Sequence, residues 1–129
     1  MIKTIQNWIE SWEGFRGLAF PVDALGPGAA CGGLFPQGEQ VLRRMEDIRG
    51  HLRLRKRLTF HLMLTEALDP LGDGVSPHQL LMEFAAWAHG QVPALGEDTR
   101  LVTEGPVPTT KGPEGLARYR LKLVFEFTD

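Results

Sequence analysis

Residues 52–64 read LRLRKRLTFHLML, and apolar and polar side chains alternate along them. Leu52, Leu54, Leu58, Phe60, Leu62 and Leu64 fall on one side of a two-residue period, and Arg53, Arg55, Arg57, Thr59 and His61 on the other. Lys56 is the one break on the apolar side. Successive side chains of a strand point to opposite faces, so this pattern predicts a strand with one buried and one polar face. The C-terminus repeats it: Ala117, Tyr119, Leu121, Leu123, Phe125 and Phe127 alternate with Arg118, Arg120, Lys122, Val124, Glu126 and Thr128. Length turns the pattern into a constraint. A compact chain of 129 residues has a radius of gyration near ~14 Å and a diameter of about 36 Å. Thirteen extended residues span roughly 43 Å at ~3.3 Å each. The 52–64 strand must therefore curve strongly or project from the body, and a projecting apolar-and-basic ribbon in water invites a partner.

The remaining elements follow from spacing and punctuation. Ile2, Ile5, Ile9 and Trp12 make one stripe of a helix over 2–13, with Gly14 as its stop. Lys3 is the only cation on its polar side, which argues for docking on a core rather than lying on a membrane. A short strand is expected near 17–20, and residues 21–38, with three prolines and five glycines, read as a loop or series of turns. Val41, Met45, Ile48 and Leu52 would also suit a helix, but Arg49-Gly50 is a turn signal directly before a strand. The favoured reading is a hairpin that sets Ile48 opposite His51, Glu46 opposite Arg53, Met45 opposite Leu54, Arg44 opposite Arg55 and Val41 opposite Leu58. Ser76, Pro77 and Gln79 open a second helix as cap, first helical residue and capping-box partner, Leu80, Leu81, Phe84, Trp87 and Ala88 form its stripe, and Gly90 ends it. An extended piece over 99–108 and the loop TTKGPEG precede the last strand. The expected fold is α+β over residues 1–129: an antiparallel sheet with a long hairpin, flanked by two helices, in the order α-β-β-β-α-β-β.

Composition narrows the function classes. Apolar residues make up 43% and charged residues 23%, which argues against global disorder. The net charge of −2 excludes a polycation built to coat nucleic acid. Cys31 is the only cysteine, so neither an internal disulfide nor a four-cysteine metal site can form. No apolar run approaches the ~20 residues of a membrane span, and Glu10 and Glu13 sit where a signal peptide needs an apolar stretch. His51, His61, His78 and His89 show no ligand spacing. Asp69 to Gly74 lacks the closing glutamate of a calcium loop and reads as turns. GPGAACG matches neither a dinucleotide fingerprint nor a phosphate loop. A nucleophilic Cys31 would need a base or cation beside it, and none is near in sequence. No cofactor, metal or catalytic residue is expected.

Charge distribution says more. Seven basic residues lie between Arg43 and Arg57, against Glu46 and Asp47 alone, and Arg118, Arg120 and Lys122 add a second row. If the two long strands share a sheet, one face is cationic, and like charges at cross-strand distance are unfavourable unless anions answer them. The answer can be local acids, an acidic patch on another subunit, or phosphates. Aromatic interleaving of the kind that single-strand binding uses is missing there.

The order of segments, together with DALGPGAACGGLFPQGEQVLRRMEDIRG, the basic strand after it, VPALGEDTRLVTEG and ARYRLKLVFEF, resembles the tail terminator proteins (also called minor capsid or tail completion proteins) of long-tailed bacteriophages and prophages. The resemblance covers almost the whole chain as a pattern of structural elements, without a signature motif. It implies an antiparallel sheet flanked by helices and a homomeric ring of six at the head-proximal end of the virion tail, assembled in the host cytoplasm. The ring would stop polymerisation of the tail tube protein, meet the head-tail connector protein, and pass DNA through its lumen without sequence-specific binding. It implies no catalytic residue and no membrane partner. Under it, contacts to other subunits or to the tube are expected from the loop 21–38 and the hairpin 41–64. Arg43, Arg44, Arg53, Arg55, Arg57, Arg118, Arg120 and Lys122 are the charged candidates, and Leu34 and Phe35 the apolar ones. The rival readings are a small nucleic-acid-binding module on the Arg-rich sheet face and, more weakly, an enzyme built around Cys31 and a histidine.

Overall fold

A computed structural model describes residues 1–15, 17–24, 32–65, 76–109 and 118–129. Helix α1 spans Ile2–Glu10 and a 3-10 turn follows at Glu13–Phe15. Strand β1 spans Gly32–Glu46, β2 Leu52–Thr65, helix α2 Pro77–Gly90, β3 Glu97–Pro108 and β4 Arg118–Thr128. The strands form one sheet in the order β1-β2-β4-β3, antiparallel throughout. The architecture is α+β, with the helices on one sheet face and the long hairpin β1–β2 at one edge. Expectations for Cys31, for the turns at 69–74 and for Ala117 lie outside the described residues.

Each helix stripe finds the sheet. Ile5 and Ile9 of α1 are fully buried, as are Leu81, Phe84 and Ala88 of α2. They pack on Leu58, Phe60, Leu62 and Leu64 of β2 and Leu121, Leu123, Phe125 and Phe127 of β4, the apolar phase read from the sequence. Full burial of each such side chain contributes about 1.5–3 kcal/mol. Helix α1 stops at Glu10, short of the expected 13, because the chain tightens so that Phe15 can enter the core, where it meets Trp12 edge-on at 4.7 Å and stacks on Phe84 at 5.2 Å. The Trp8 indole N–H donates to the Gln91 carbonyl at 2.7 Å and pins α1 to the end of α2. Ser76 caps α2 by accepting from the Gln79 backbone N–H at 3.1 Å. The reciprocal half of the expected capping box is absent, because the Gln79 side chain turns to Glu83 instead.

Three expectations need correction. Residues 17–20 form no strand; the nearest pairing is a single parallel bridge between Val22 and Leu34, after Pro21, which has no N–H to add to a ladder. The segment 21–38 is strand from Gly32 onward. Gly32 and Gly33 are needed there for close approach: a Cβ at Gly32 would overlap the Phe20 ring, and one at Gly33 the Ala24 carbonyl, each closer than 3.0 Å. The hairpin register is shifted by one residue from the expected one near the turn, with Glu46 opposite Leu52, Met45 opposite Arg53, Arg44 opposite Leu54 and Arg43 opposite Arg55, and by two at Val41, which lies opposite Lys56. The shift arises because the turn is five residues long, not two. The Asp47 carboxylate accepts from the N–H groups of Arg49 and His51, both at 2.9 Å, and its backbone N–H donates to the His51 carbonyl at 3.0 Å. Two bulges, near Gly38 and between Val41 and Arg43, slip β1 further against β2.

Burial divides the hairpin in two. Gly32 to Leu34 are buried, Phe35 and Pro36 half-buried, and Gln37 to Arg44 exposed, so the distal half leaves the helix-covered body as an arm. Val41, Leu42 and Leu52 are exposed along it, and Ile48 at its tip has 105% relative exposure. Lys56, the break in the apolar phase, sits at the arm's root. Its ammonium lies 3.0 Å from Asp129 and 3.3 Å from Glu39. The hydrogen bonds it donates to Asp129 and then Glu39 hold it above the ordinary lysine pKa.

Candidate assembly surface

The face of the sheet away from the helices carries the odd-numbered residues of β2, with their cross-strand partners. From the arm inward the rungs read Met45–Arg53, Arg43–Arg55–Thr128, Gln40–Arg57–Glu126–Arg100, Gly38–Thr59–Val124–Val102, Phe35–His61–Lys122–Glu104 and Gly33–Met63–Arg120–Val107. Among the described residues neither helix covers this face. It holds seven of the eight charged candidates: Arg43, Arg53, Arg55, Arg57, Arg118, Arg120 and Lys122. Arg44 points to the opposite face, opposite Leu54. Leu34 is fully buried in the core and drops out as a contact residue, because its β-phase places it against the helices. Phe35 remains, half-buried, on the open face.

Local acids answer half of the candidates. Arg57 grips Glu126 through Nε at 3.0 Å and Nη2 at 2.7 Å. Arg53 pairs with Glu97. Arg55 donates to the Asp98 carbonyl at 2.9 Å, with that residue's carboxylate at 3.8 Å. Lys122 lies 3.6 Å from Glu104. Among the described residues, Arg43, Arg44, Arg118 and Arg120 have no carboxylate partner. Sequence reading missed these acids for a topological reason. Glu126 was visible in the polar phase of the last strand, but Glu97 and Asp98 come within reach only because β3 lies beside β4.

The middle of the open face is a hollow of about 400 Å³ built by all four strands. Thr59, Val102 and Val124 form its floor, and the Arg57–Glu126 and Lys122–Glu104 pairs stand at its corners. His61 lies in the next rung. Burial first, then the charges of Arg120 and Lys122, push its imidazole below the usual histidine pKa of about 6.5. The unfolded chain therefore takes up the proton first. The contribution of His61 to stability is present above pH ~6.5 and is lost as pH falls from there toward the depressed folded value. Urea midpoints of wild type and His61→Gln measured from pH 7.5 to 5 are expected to converge as the pH falls; a constant gap removes the effect.

No group of three or more His, Cys, Asp or Glu residues among those described gathers as a metal site. No helix among them is long and apolar enough to cross a membrane. Comparison of the chain with protein-family models, curated proteins and solved structures finds no match.

Proposed function

We propose that this chain is a structural assembly protein of the tail-terminator kind: a ring at the head-proximal end of a phage tail tube that halts tube growth and receives the head connector. One observation carries the reading. The chain has two different uncovered surfaces, an arm tipped by an exposed isoleucine and a two-signed open sheet face, set on a helix-backed body. A closed ring of identical copies needs two unlike surfaces on each copy, because contacts that repeat head-to-tail are heterologous. Capping then follows sterically. One ring face matches the tube subunit, and the opposite face lacks the surface that would seed another layer.

The salt-bridge pattern favours protein over nucleic acid as the partner of the sheet. Phosphates would have to displace Glu97, Asp98, Glu104 and Glu126 from the cations they already hold. Such surface pairs are individually worth only about 0–1 kcal/mol, but the displaced carboxylates would stay beside the incoming phosphates and repel them. In the ring, the DNA-filled lumen is a passage and the basic rows serve protein contacts.

The test is growth of tubes from the cognate tail tube protein, imaged by negative stain. Added at one ring per tube end, this protein is expected to stop elongation and to leave an extra disc at one end. Tubes that lengthen equally with and without it overturn the reading.

A further inference from the structure

Building on the assembly reading, we propose that the basic arm of one copy docks on the acidic, tryptophan-bearing helix layer of a second copy. Charge is segregated between the two regions. Residues 41–54 of the arm carry Arg43, Arg44, Arg49 and Arg53 against Glu46 and Asp47. The layer built from residues 1–23 and 76–95 carries Glu10, Glu13, Asp23 and Glu83 against Lys3 and Arg16. The two surpluses are opposite in sign and equal in size. Neither is answered within its own chain. Among the described residues Arg43, Arg44 and Arg49 have no carboxylate partner, and Glu10, Glu13, Asp23 and Glu83 have no lysine or arginine partner. Complementary potentials of this kind steer encounter and fix the register of a contact.

The side chains that accompany the charges also match. Trp8, Trp12 and Trp87 are all the tryptophans of the chain, and the helix layer gathers them. Trp87 stacks on Trp8 at 5.5 Å and lies 6.2 Å from Trp12. All three stay half-buried rather than closed inside the core. Glu83 precedes Trp87 by one turn of α2, and Glu13 follows Trp12 directly, so exposed carboxylates flank the indoles from both segments. Met82, 53% exposed, adds apolar surface on the same helix. The arm offers the counterpart: exposed Arg43, Arg44 and Arg49 among exposed Val41, Leu42 and Ile48. Guanidinium groups are attracted to the faces of indoles as well as to carboxylates, and arginine and tryptophan are the residues that most often anchor protein interfaces. The arm is also pre-shaped, because the Asp47 carboxylate holds two backbone N–H groups at its tip, so docking orders little new backbone.

The occupant is a second copy. β4 accompanies β2 only as far as Thr128 opposite Arg55, and beyond that rung β1 and β2 run on as a two-stranded ribbon to Glu46 opposite Leu52. A paired ribbon that leaves the edge of the body in the plane of the sheet does not turn back onto the helices above that sheet. Each copy keeps one arm and one helix layer, so the contact propagates head-to-tail and closes into a ring or continues as a filament. The open sheet face, with its cations already paired, stays uncovered for the tube subunit.

The experiment uses two charge-reversed variants of the full chain: Arg43→Glu with Arg44→Glu on the arm, and Glu13→Arg with Glu83→Arg on the helix layer. All four side chains are exposed, and unchanged circular dichroism and melting temperature confirm folding. Arg49→Glu replaces the arm pair, and Glu83→Arg alone the layer pair, where a double variant misfolds. In sedimentation velocity, wild type is expected to self-associate, more weakly as salt rises, and each variant alone to lose at least tenfold in self-affinity. An equimolar mixture of the two is expected to recover assembly, because the reversed arm then meets the reversed layer and the native arm the native layer. Either variant assembling like wild type, a mixture that stays monomeric, or wild type that is monomeric at every concentration overturns the contact. An arm variant that self-associates like wild type but no longer caps tubes overturns it too, and puts the arm on the tube subunit. The two readings fail separately. A protein that caps tubes while the mixture stays monomeric retains the terminator role without this contact. A mixture that recovers assembly in a protein that leaves tube growth unchanged retains the contact without the terminator role.

Discussion

Phe84→Ala is expected to lower stability by about 3–5 kcal/mol, the range for deleting a buried phenylalanine, and to lower the melting temperature by roughly 10–20 °C for a domain of this size. Phe84 is fully buried where α1, the 3-10 turn and α2 converge. Its ring stacks on Phe15 at 5.2 Å and meets Trp8 at 5.7 Å and Trp12 at 5.6 Å edge-on, with Trp87 tilted beside it at 5.7 Å. These partners are large, stiff and held from several elements, and Trp8 is also tied to Gln91 by its indole N–H. They cannot close over the space, so the cavity term adds to the lost transfer energy. Urea denaturation with a fixed m-value measures the loss. A cost below about 1.5 kcal/mol would mean that the aromatic layer collapses freely, and that the helices are not held on the sheet as described.

Gly33→Ala is the second large effect, about 1–3 kcal/mol destabilising, from overpacking rather than from a cavity. A methyl at Gly33 points onto the open face and meets the Ala24 carbonyl, with the Phe35 ring as its next neighbour. The carbonyl cannot step aside cheaply. The segment before it is tied to β1 by the Leu34 N–H donating to the Pro21 carbonyl and the Asp23 N–H donating to the Leu34 carbonyl, both at 2.9 Å. Gly90→Ala is the control, since a Cβ there meets nothing within 4 Å, and it is expected to leave stability within about 0.5 kcal/mol. Thermal melts of the three proteins side by side decide it. Equal melting temperatures for Gly33→Ala and wild type would remove the close approach that explains the glycine pair opening β1.

The candidate surface was only partly legible beforehand. The polar phase of β2 named Arg53, Arg55 and Arg57 together with Thr59 and His61, because alternation places them on one face whatever the neighbours are. The pairing of those cations with Glu97, Asp98 and Glu126 depends on β4 lying between β2 and β3, an order that no local pattern contains. Leu34, an apolar contact candidate by sequence, is a core residue for a related reason. Two glycines and a proline around it read as loop, and only pairing with β2, from Gly32 opposite Leu64 to Pro36 opposite Phe60, makes the segment strand and turns Leu34 inward. The hairpin was expected with a two-residue turn because Arg49-Gly50 is a local signal. Asp47 overrode it by capping two backbone N–H groups at once, which lengthened the loop and moved the register by one residue.

Periodicity determined the two helices, β2 and β4, and the side of each that faces the core, since side-chain direction in a helix or strand follows from backbone geometry. Ribbon length alone also required that the hairpin curve or outreach its body, because a compact chain of this length is narrower than its own longest strand. Tertiary structure decided the rest: strand order, hairpin register, which arginines meet acids, and the hollow beneath them. Those depend on contacts between residues far apart in the chain, where hydrogen-bond geometry and side-chain volume, rather than local pattern, select among arrangements that the sequence pattern leaves equally open.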